Sequence, residues 1–556
     1  MVDDLKVKLN DYIGELTKNT AGISAAIIQD SKTIYENYFG YIDEFKTPNS
    51  SSAMMMIGSN TKVVTAIAIL QLYENGVVDI DTDITKYISE LNIKSRFANK
   101  DITIRNILMH RSGLASDDLN FITSHSTCLE EIVEIANQTP LSYEPLTMYA
   151  YSNIGYGLLG VIIQRMSKVS YETYVNDHIL DPIGARFEFI PNDSERIHND
   201  ENISQSFDNG LKAVKDPLNT IISAGTNTYC KLGDLISLIK VFIEPDKQKL
   251  LKKETISLML ERPYFDDMID GEMTHGLGLV YQMYNFDNPQ IGDVISHGGD
   301  TIYHHTRFAF VPKLNVGFVV MTNTENGLEV SMKIVLKMME EYFKQKNIPI
   351  KPLSIRASKV MEIIENDIQG IYEGPTNRFV IHKEPDGLYV NIQGLELKLL
   401  LREDGFFMPV PTGVATSPQF SGMFDNLLLH IKKINGKKIL FGKVYNGIVF
   451  HSAKIAYETF VEDIEKYSYV FGKYKLVDRN ISDSIVINDV SILEQSGQIK
   501  LKMNSFNQKL LFNLKGLGCN ALEIQGYGRF SGDTIIINKR NGEVSIKLLG
   551  FILTKI

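Results

Sequence analysis

The stretch Lys346-Asn347-Ile348-Pro349-Ile350-Lys351-Pro352 separates two parts of the chain whose apolar residues recur with different periods, so one layered domain cannot accommodate both. Upstream of it, strand patterns over Gly22 to Ile28, Thr33 to Phe39, Thr306 to Val311 and Val316 to Thr322 are interleaved with helical runs over Thr61 to Asn75, Gly155 to Ser167, Leu232 to Ile243 and Leu328 to Gln345. Strands at both ends of a helical middle predict an α+β body whose single sheet draws on both ends. Downstream, the long helical period largely ends. Phe379-Val380-Ile381, Leu388 to Ile392, Ile485-Val486-Ile487, Ile499 to Met503 and Thr534 to Ile537 read as short strands between Gly, Asn and Asp turns. Gly370-Ile371-Tyr372 and Gly472-Lys473-Tyr474 each open such a run, which predicts two weakly repeated antiparallel β-barrels of about ninety residues, with one larger β domain as the alternative. The expected boundaries are an α+β body at 1–346, a linker at 347–365, and barrels at 366–460 and 461–556.

Composition removes several function classes. The 556 residues are 44% hydrophobic and 22% charged, an ordinary globular balance, and the formal net charge of −10 without any long Lys/Arg block disfavours a nucleic-acid partner. Cys128, Cys230 and Cys519 are odd in number and far apart, with no Cys-x-x-Cys pair, so neither a disulfide framework nor a zinc site is expected. The start, Met1 to Asn10, carries charges throughout and reads as an amphipathic helix, and no apolar run approaches the roughly 18 residues of a membrane span. A soluble, cytoplasmic chain without a membrane partner is the expectation.

Chemistry enters at Ser59-Asn60-Thr61-Lys62, directly ahead of the apolar helical run Val63 to Tyr73. Residues three apart share a helix face, so the Lys62 amine lies within reach of the Ser59 oxygen, and the helix N-terminus favours developing negative charge. The same positive field disfavours a protonated ammonium, which suits Lys62 to act as a base. Ser-x-x-Lys strings are common, however, and their ordinary form is a serine N-cap on a solvated helix.

A nucleophile of this kind needs a second proton-transfer group and a substrate grip. Tyr151-Ser152-Asn153 supplies a candidate for the first. Four other Tyr-x-Asn strings occur, at Tyr35, Tyr73, Tyr174 and Tyr389, but Tyr151 alone sits between a Pro-containing loop and the helix at Gly155, where side chains project into clefts. For the grip, Ser296-His297-Gly298-Gly299-Asp300 lies just before the strand Thr306 to Val311. Glycines there permit close backbone approach, so that an extended substrate pairs with that strand edge; a plain Gly-Gly turn is the alternative.

With these motifs in order, the chain resembles the serine β-lactamase and penicillin-binding-protein superfamily over roughly residues 5 to 340, in particular the branch of class C β-lactamases, D-aminopeptidases, DD-carboxypeptidases and related esterases. Gly76 to Ile88 resembles the segment after the nucleophile helix, and Ile102 to Leu114 is similar to the block I-T-I-R-x-L-L-x-H-x-S-G-L. Tyr151 to Gly160 resembles the tyrosine motif, while Ser223-Ala224-Gly225 and Gly276-Leu277-Gly278 fall where related blocks fall.

The resemblance implies a β-lactamase-like domain, an antiparallel sheet flanked by helices, that forms an acyl-enzyme without a cofactor or metal. In it Ser59 is the nucleophile, Lys62 its activating base and Tyr151 a proton shuttle, the base being either Lys62 or Tyr151. Asn153 holds the substrate amide and helps place Lys62; His297, Gly299 and Asp300 line the substrate, with the backbone N–H groups of Ser59 and Asp300 as oxyanion hole. Many relatives carry Lys where this chain has His297, and a histidine mostly neutral at neutral pH is a weaker carboxylate anchor. That favours small peptides read from the amino end, amides or esters, and a D-stereospecific aminopeptidase first. An esterase, DD-carboxypeptidase or β-lactamase is the rival, and a sensor that is acylated and stalls is a reading from another class. Tyr303 stands where Gly is common, with His304 and His305 beside it, which predicts a narrowed acyl pocket. The layout also resembles D-aminopeptidases with two carboxy-terminal barrels, one of which sends a loop to the active-site mouth. Leu514 to Cys519 is the candidate loop, an ordinary hairpin being the stronger expectation, and the barrels suit either homo-oligomerisation or ligand binding.

Overall fold

A computed structural model describes residues 2–30, 32–98, 101–122, 128–190, 195–214, 224–225, 228–263, 274–281, 284, 286, 288–350, 360–361, 368–374, 377–403, 405–417, 424, 427–434, 437–445, 450–458, 464–477, 486–505, 508–526 and 529–556. The chain packs as two compact units, one of Met1–Leu114, Phe121–Thr139 and Tyr143–Lys351, the other of Ala115–Asn120, Pro140–Ser142 and Pro352–Ile556. Of the expected linker, 351–359 and 362–365 lie outside the described residues, as does Ser223.

The first unit is organised by a seven-stranded antiparallel sheet. Its strands are β1 (Gly22–Gln29), β2 (Lys32–Gly40), β3 (Thr274–His275), β4 (Val280–Tyr281), β5 (Ile295–Asp300), β6 (His305–Val311) and β7 (Val316–Thr322), in the order β2-β1-β7-β6-β5-β4-β3. The first strand of the chain pairs directly with the last of the sheet, Ile23 opposite Thr322 and Gln29 opposite Val316. One sheet therefore does draw on both ends of the domain.

Both faces of that sheet are covered, which explains why β1, β6 and β7 are buried almost without interruption instead of on alternate residues. Register places Phe310 opposite Gly317 on one face and Ala309 opposite Phe318 on the other. Phe310 stacks on Phe242 of one helix (Leu232–Ile243) at 5.0 Å, while Phe318 meets Tyr342 of another (Gly327–Gln345) at 5.8 Å, so the two helices lie on opposite faces. The amino-terminal helix α1 (Val2–Leu16) buries Leu5, Leu9 and Ile13, spaced four apart along one stripe. Helix α2 (Thr61–Glu74) differs: every residue from Thr61 to Leu70 is buried, so it runs through the interior. A third helix, α3 (Asn153–Ser167), is started by Ser152, whose hydroxyl accepts from the Gly155 N–H at 3.0 Å.

The second unit carries two β systems. The first sheet runs Val360–Met361, Leu395–Arg402, Gly387–Ile392, Asn377–Glu384, Gly370–Gly374, Phe450–Glu458, Lys437–Tyr445, Leu427–Ile434, Phe407–Pro411, and a further pairing of Leu395–Arg402 with Phe407–Pro411 brings it nearly to closure. The second is a closed barrel of eight strands from Gly472–Leu476 to Phe551–Lys555, its first strand paired with its last. The repeat anticipated at Gly370 and Gly472 has a physical content. Tyr372 and Tyr474 are both buried, and each hydroxyl donates to the carbonyl four residues upstream, to Ile368 at 2.8 Å and to Val470 at 2.5 Å.

Two local expectations sort differently. Leu514 to Cys519 belongs to a hairpin, Gln508–Gly516 against Ala521–Gln525, closed by the Leu517 N–H on the Ala521 carbonyl at 2.9 Å. Val486 and Ile487, read as strand residues, instead precede the strand Asn488–Gln495, and Ile485 lies outside the described residues. Both are fully buried, so their apolar character reflects packing and not a pleated ladder.

Within the second unit, Glu373 of the first sheet accepts from Lys500 at 2.7 Å and from Asn513 at 3.0 Å in the closed barrel. The Lys500 side chain is only 8% exposed, so Glu373→Ala leaves an ammonium buried without its carboxylate and is expected to lower the unfolding free energy by about 3 kcal/mol. Arg378, at 56% exposure on the other Glu373 oxygen, is expected to cost less than about 1 kcal/mol on replacement by Ala. Urea unfolding of the two variants checks the contrast, and equal shifts would contradict it.

Candidate active site

Ser59 sits in a single turn, Gly58–Asn60, that leads straight into α2. Asn60 holds the N-cap position and no side chain caps the helix, so the Ser59 hydroxyl is not consumed in the ordinary capping role. The turn is held from several sides. Thr61 Oγ1 donates to the Gly58 carbonyl at 2.7 Å and lies 2.9 Å from Thr228 Oγ1, and Asn60 Nδ2 reaches the Thr306 carbonyl of β6 at 3.3 Å.

Lys62, one turn along, is fully buried. Its Nζ donates to Asn153 Oδ1 at 2.6 Å and to the Gly225 carbonyl at 3.0 Å, and lies 3.1 Å from Ser59 Oγ. The first two partners can only accept, so they take two N–H groups of Lys62 and leave its third direction pointed at Ser59. The Tyr151 hydroxyl donates to Ser59 Oγ at 2.6 Å from the other side, and the Lys62 Nζ stands 4.8 Å from the Tyr151 ring centre. Ser59, Lys62, Tyr151 and Asn153, more than ninety residues apart in part, thus form one hydrogen-bonded cluster.

His297, Gly299 and Asp300 lie in β5 itself, not in a turn ahead of a strand. Strand β6 is paired on both sides, so it offers no free edge. On β5, Ile295 and Ser296 pair with Tyr281 and Val280, while the stretch from His297 to Asp300 continues beyond that pairing. Among the described residues, the open edge therefore belongs to β5. Its end presses on the Ser59 turn: a Cβ on Gly299 would fall 1.7 Å from the Ile57 oxygen, and one on Gly58, at φ +48°, would fall 3.1 Å from the Asp300 nitrogen. Only glycine fits at position 299, a side chain at 58 would be crowded and strained, and the Asp300 amide is thereby set beside the Ser59 turn.

Electrostatics in this wall are closed off internally. Burial, reinforced by the Lys62 charge, pushes His297 down to about 3, so the ring is neutral at ordinary pH. Its Nδ1 lies 2.9 Å from the Gly298 carbonyl, which only accepts, so Nδ1 carries the proton and Nε2 is the acceptor. Burial pushes the Asp300 carboxyl up, but Arg307 and His305 outweigh it and hold the group down to about 2. Arg307 grips both Asp300 oxygens at 2.8 Å, and His305 Nδ1 meets one at 2.9 Å. His304 accepts the Met56 N–H at 3.3 Å and reaches Ser206 Oγ at 3.1 Å. His304 and His305 are thus buried and held by contacts to neighbouring elements.

Behind Tyr151 lies a group to which no role attaches from the sequence: His110, Tyr149 and His275. His110 rests 4.2 Å from the Tyr151 ring, and Tyr149 stacks on His275 at 4.6 Å. The histidine within the Ile102 to Leu114 block was the available signal for this layer. Among the described residues no group of three or more His, Cys, Asp or Glu is placed to hold a metal ion, and no helix is long and apolar enough to cross a membrane.

A family model described as Beta-lactamase matches residues 9–334. Protein flp of Staphylococcus aureus (strain MW2) is 27% identical over 311 residues, 54% of this chain and 59% of that relative, so the chain spans less than two thirds of the curated relative's length. The structure of the octameric penicillin-binding protein homologue from Pyrococcus abyssi aligns with a TM-score of 0.51 and 23% identity over 81% of this chain and 99% of that one. D-amino acid amidase from Ochrobactrum anthropi SV3, complexed with L-phenylalanine, aligns with a TM-score of 0.51 and 20% identity over 61% of this chain and 99% of that one. At those identities the two structures show a shared fold.

Buried neutral histidines make acid stability a readout of the site wall. Burial pushes His304 down to about 3, so the folded chain binds fewer protons than the unfolded one between that value and the ordinary 6.5. Stability is therefore full above pH about 6.5 and falls as pH drops, by about 1.4 kcal/mol per pH unit for each such histidine, until about pH 3. His304→Gln is expected to remove one histidine's share of that slope. Unfolding free energies of both proteins from pH 7 to 4 check it, and parallel curves would sink the assignment.

Proposed function

This chain belongs to the beta-lactamase family, whose model matches residues 9–334, and from that premise we propose that it is a serine hydrolase that forms an acyl-enzyme on Ser59. The observation that carries the reading is the placement of Ser59 Oγ between two proton-transfer groups, Lys62 Nζ at 3.1 Å and the Tyr151 hydroxyl at 2.6 Å. Attack of Ser59 Oγ on a substrate carbonyl forms a C–O bond while its proton passes to the base, either Lys62 as the neutral amine or Tyr151 as the phenolate. Collapse of the tetrahedral state breaks the bond to the leaving group, which takes up a proton by way of Tyr151, and water then enters by the reverse route. Asn153, already bonded to Lys62, both orients the amine and meets the substrate amide. The Asp300 amide beside the Ser59 turn and the Ser59 amide itself are the oxyanion donors in this reading.

The substrate class follows from charge. A substrate carboxylate gains from a fixed cation, and His297 is a neutral ring with an accepting Nε2. Arg307 is spent on Asp300 and, by the strand register, lies on the opposite sheet face from His297. A small peptide or amide read from its amino end, carrying no carboxylate at this wall, suits that surface better than a β-lactam or a carboxy-terminal D-alanine. A D-amino acid amidase among the similar folds supports amide substrates of D configuration, and D-stereospecific aminopeptidase activity is the first expectation.

Purified protein assayed with D-alanine p-nitroanilide, L-alanine p-nitroanilide, p-nitrophenyl esters and nitrocefin tests the substrate. Selective cleavage of the D-anilide is expected; ester cleavage alone would replace the aminopeptidase reading with an esterase, and rapid nitrocefin turnover would overturn the argument from His297. Ser59→Ala is expected to lose about 10³-fold or more in rate and all labelling by acylating probes. Lys62→Ala should abolish the acylation burst, and an unchanged burst would remove Lys62 from the mechanism.

A further inference from the structure

We infer that His110 is a positioning residue for Tyr151, an inference that rests on the acyl-enzyme reading above. His110 follows the short helix Ile104–Leu108 and its C-cap Met109. Its N–H donates to the Ile107 carbonyl at 3.0 Å, and the Arg111 N–H donates to the Asn106 carbonyl at 2.7 Å. Those two bonds are a Schellman ending, which sets one residue in the left-handed region, usually glycine and sometimes asparagine. Here that residue is His110, at φ 55°. A side chain with a Cβ is disfavoured in that conformation, so the backbone gives no reason for histidine. The reason lies in what the imidazole reaches.

The His110 carbonyl accepts from the Ala150 N–H at 2.8 Å, and its Nδ1 accepts from the Ser152 N–H at 3.1 Å. The residues on both sides of Tyr151 are therefore tied to one histidine. Between those ties the imidazole lies against the Tyr151 ring, centres 4.2 Å apart and planes 30° apart, with the Tyr156 ring at 5.1 Å on another side. A backbone N–H only donates, so Nδ1 is unprotonated, and burial keeps the ring neutral. The tyrosine hydroxyl donates to Ser59 Oγ at 2.6 Å, a distance at which a small rotation of the Tyr151 ring or a shift of its backbone separates the two oxygens. Ser152 also caps α3, whose first residue is Asn153, so the same tie fixes the Lys62 partner.

His110→Gly and His110→Asn in the full chain test the inference. Glycine suits the left-handed backbone and keeps the carbonyl tie, yet removes the ring and Nδ1; asparagine also suits the backbone and returns an oxygen acceptor close to the Nδ1 position. The thermal midpoint of His110→Gly is expected to hold or rise, while its acylation rate with p-nitrophenyl acetate falls about tenfold or more with KM little changed, and His110→Asn recovers most of the rate. In protein with carbon-labelled tyrosine, assigned through Tyr151→Phe, the Tyr151 resonance is expected to move in His110→Gly and return in His110→Asn. Wild-type acylation in His110→Gly, an unmoved Tyr151 resonance, or an asparagine variant no better than the glycine one overturns the inference. Ser59→Ala run alongside keeps the two ideas apart. Acylation that survives in Ser59→Ala overturns the acyl-enzyme reading, while the resonance still decides whether His110 places Tyr151.

Discussion

Enclosing the amine of Lys62 is the constraint on which the arrangement of the first unit turns. A basic nitrogen taken fully out of water is costly unless its N–H groups are met by acceptors of good geometry. Here they come from three separate places, the Asn153 amide oxygen at the start of α3, the Gly225 carbonyl, and the Ser59 oxygen in the turn before α2. Satisfying one side chain therefore fixes two helix starts and a loop relative to each other. The apolar wrapping of α2 on all sides is the same requirement seen from the helix, since a surface helix could not keep Lys62 dry.

The sheet meets this cluster through backbone contact. Strand β5 brings Gly299 and the Asp300 amide against the Ile57 to Asn60 turn at a distance no side chain tolerates, and β6 adds the Thr306 carbonyl for Asn60. Because β1 pairs with β7, the position of β5 depends on a register set between residues about 300 apart in the chain. The site is thus assembled late in any folding order that begins with local contacts.

Much of this was readable from residue pattern. Helix α2, the three other long helical runs and the strands of the central sheet emerge because their apolar periods are long, and the Ser59 and Tyr151 motifs stand at helix starts that capping and loop signals mark. What the pattern missed is long-range or ambiguous by its nature. Ser296 to Asp300 carries two glycines and leaves a plain turn open as an alternative, yet pairing with β6 makes it a strand. The contacts of His304 and His305 were equally illegible, because their partners, Met56, Ser206 and Asp300, lie on other elements or across a turn. Val486 and Ile487 show that a short apolar run reports burial before it reports a strand.

Charge compensation then bears on what the site can select. Asp300 and Arg307 neutralise each other on the sheet face opposite His297, while His297, on the face toward the Ser59 turn, is held neutral by burial. A wall without net charge discriminates by shape and by hydrogen bonds from fixed donors and acceptors, chiefly the β5 backbone and the His297 Nε2. Replacing His297 by Lys would not simply restore a carboxylate anchor, because the buried ring position lies in the field of Lys62 and Arg307 and a second ammonium would be driven toward its neutral form. The neutrality of the wall is therefore a property of the whole cluster, set by the enclosed Lys62 as much as by the residue at position 297.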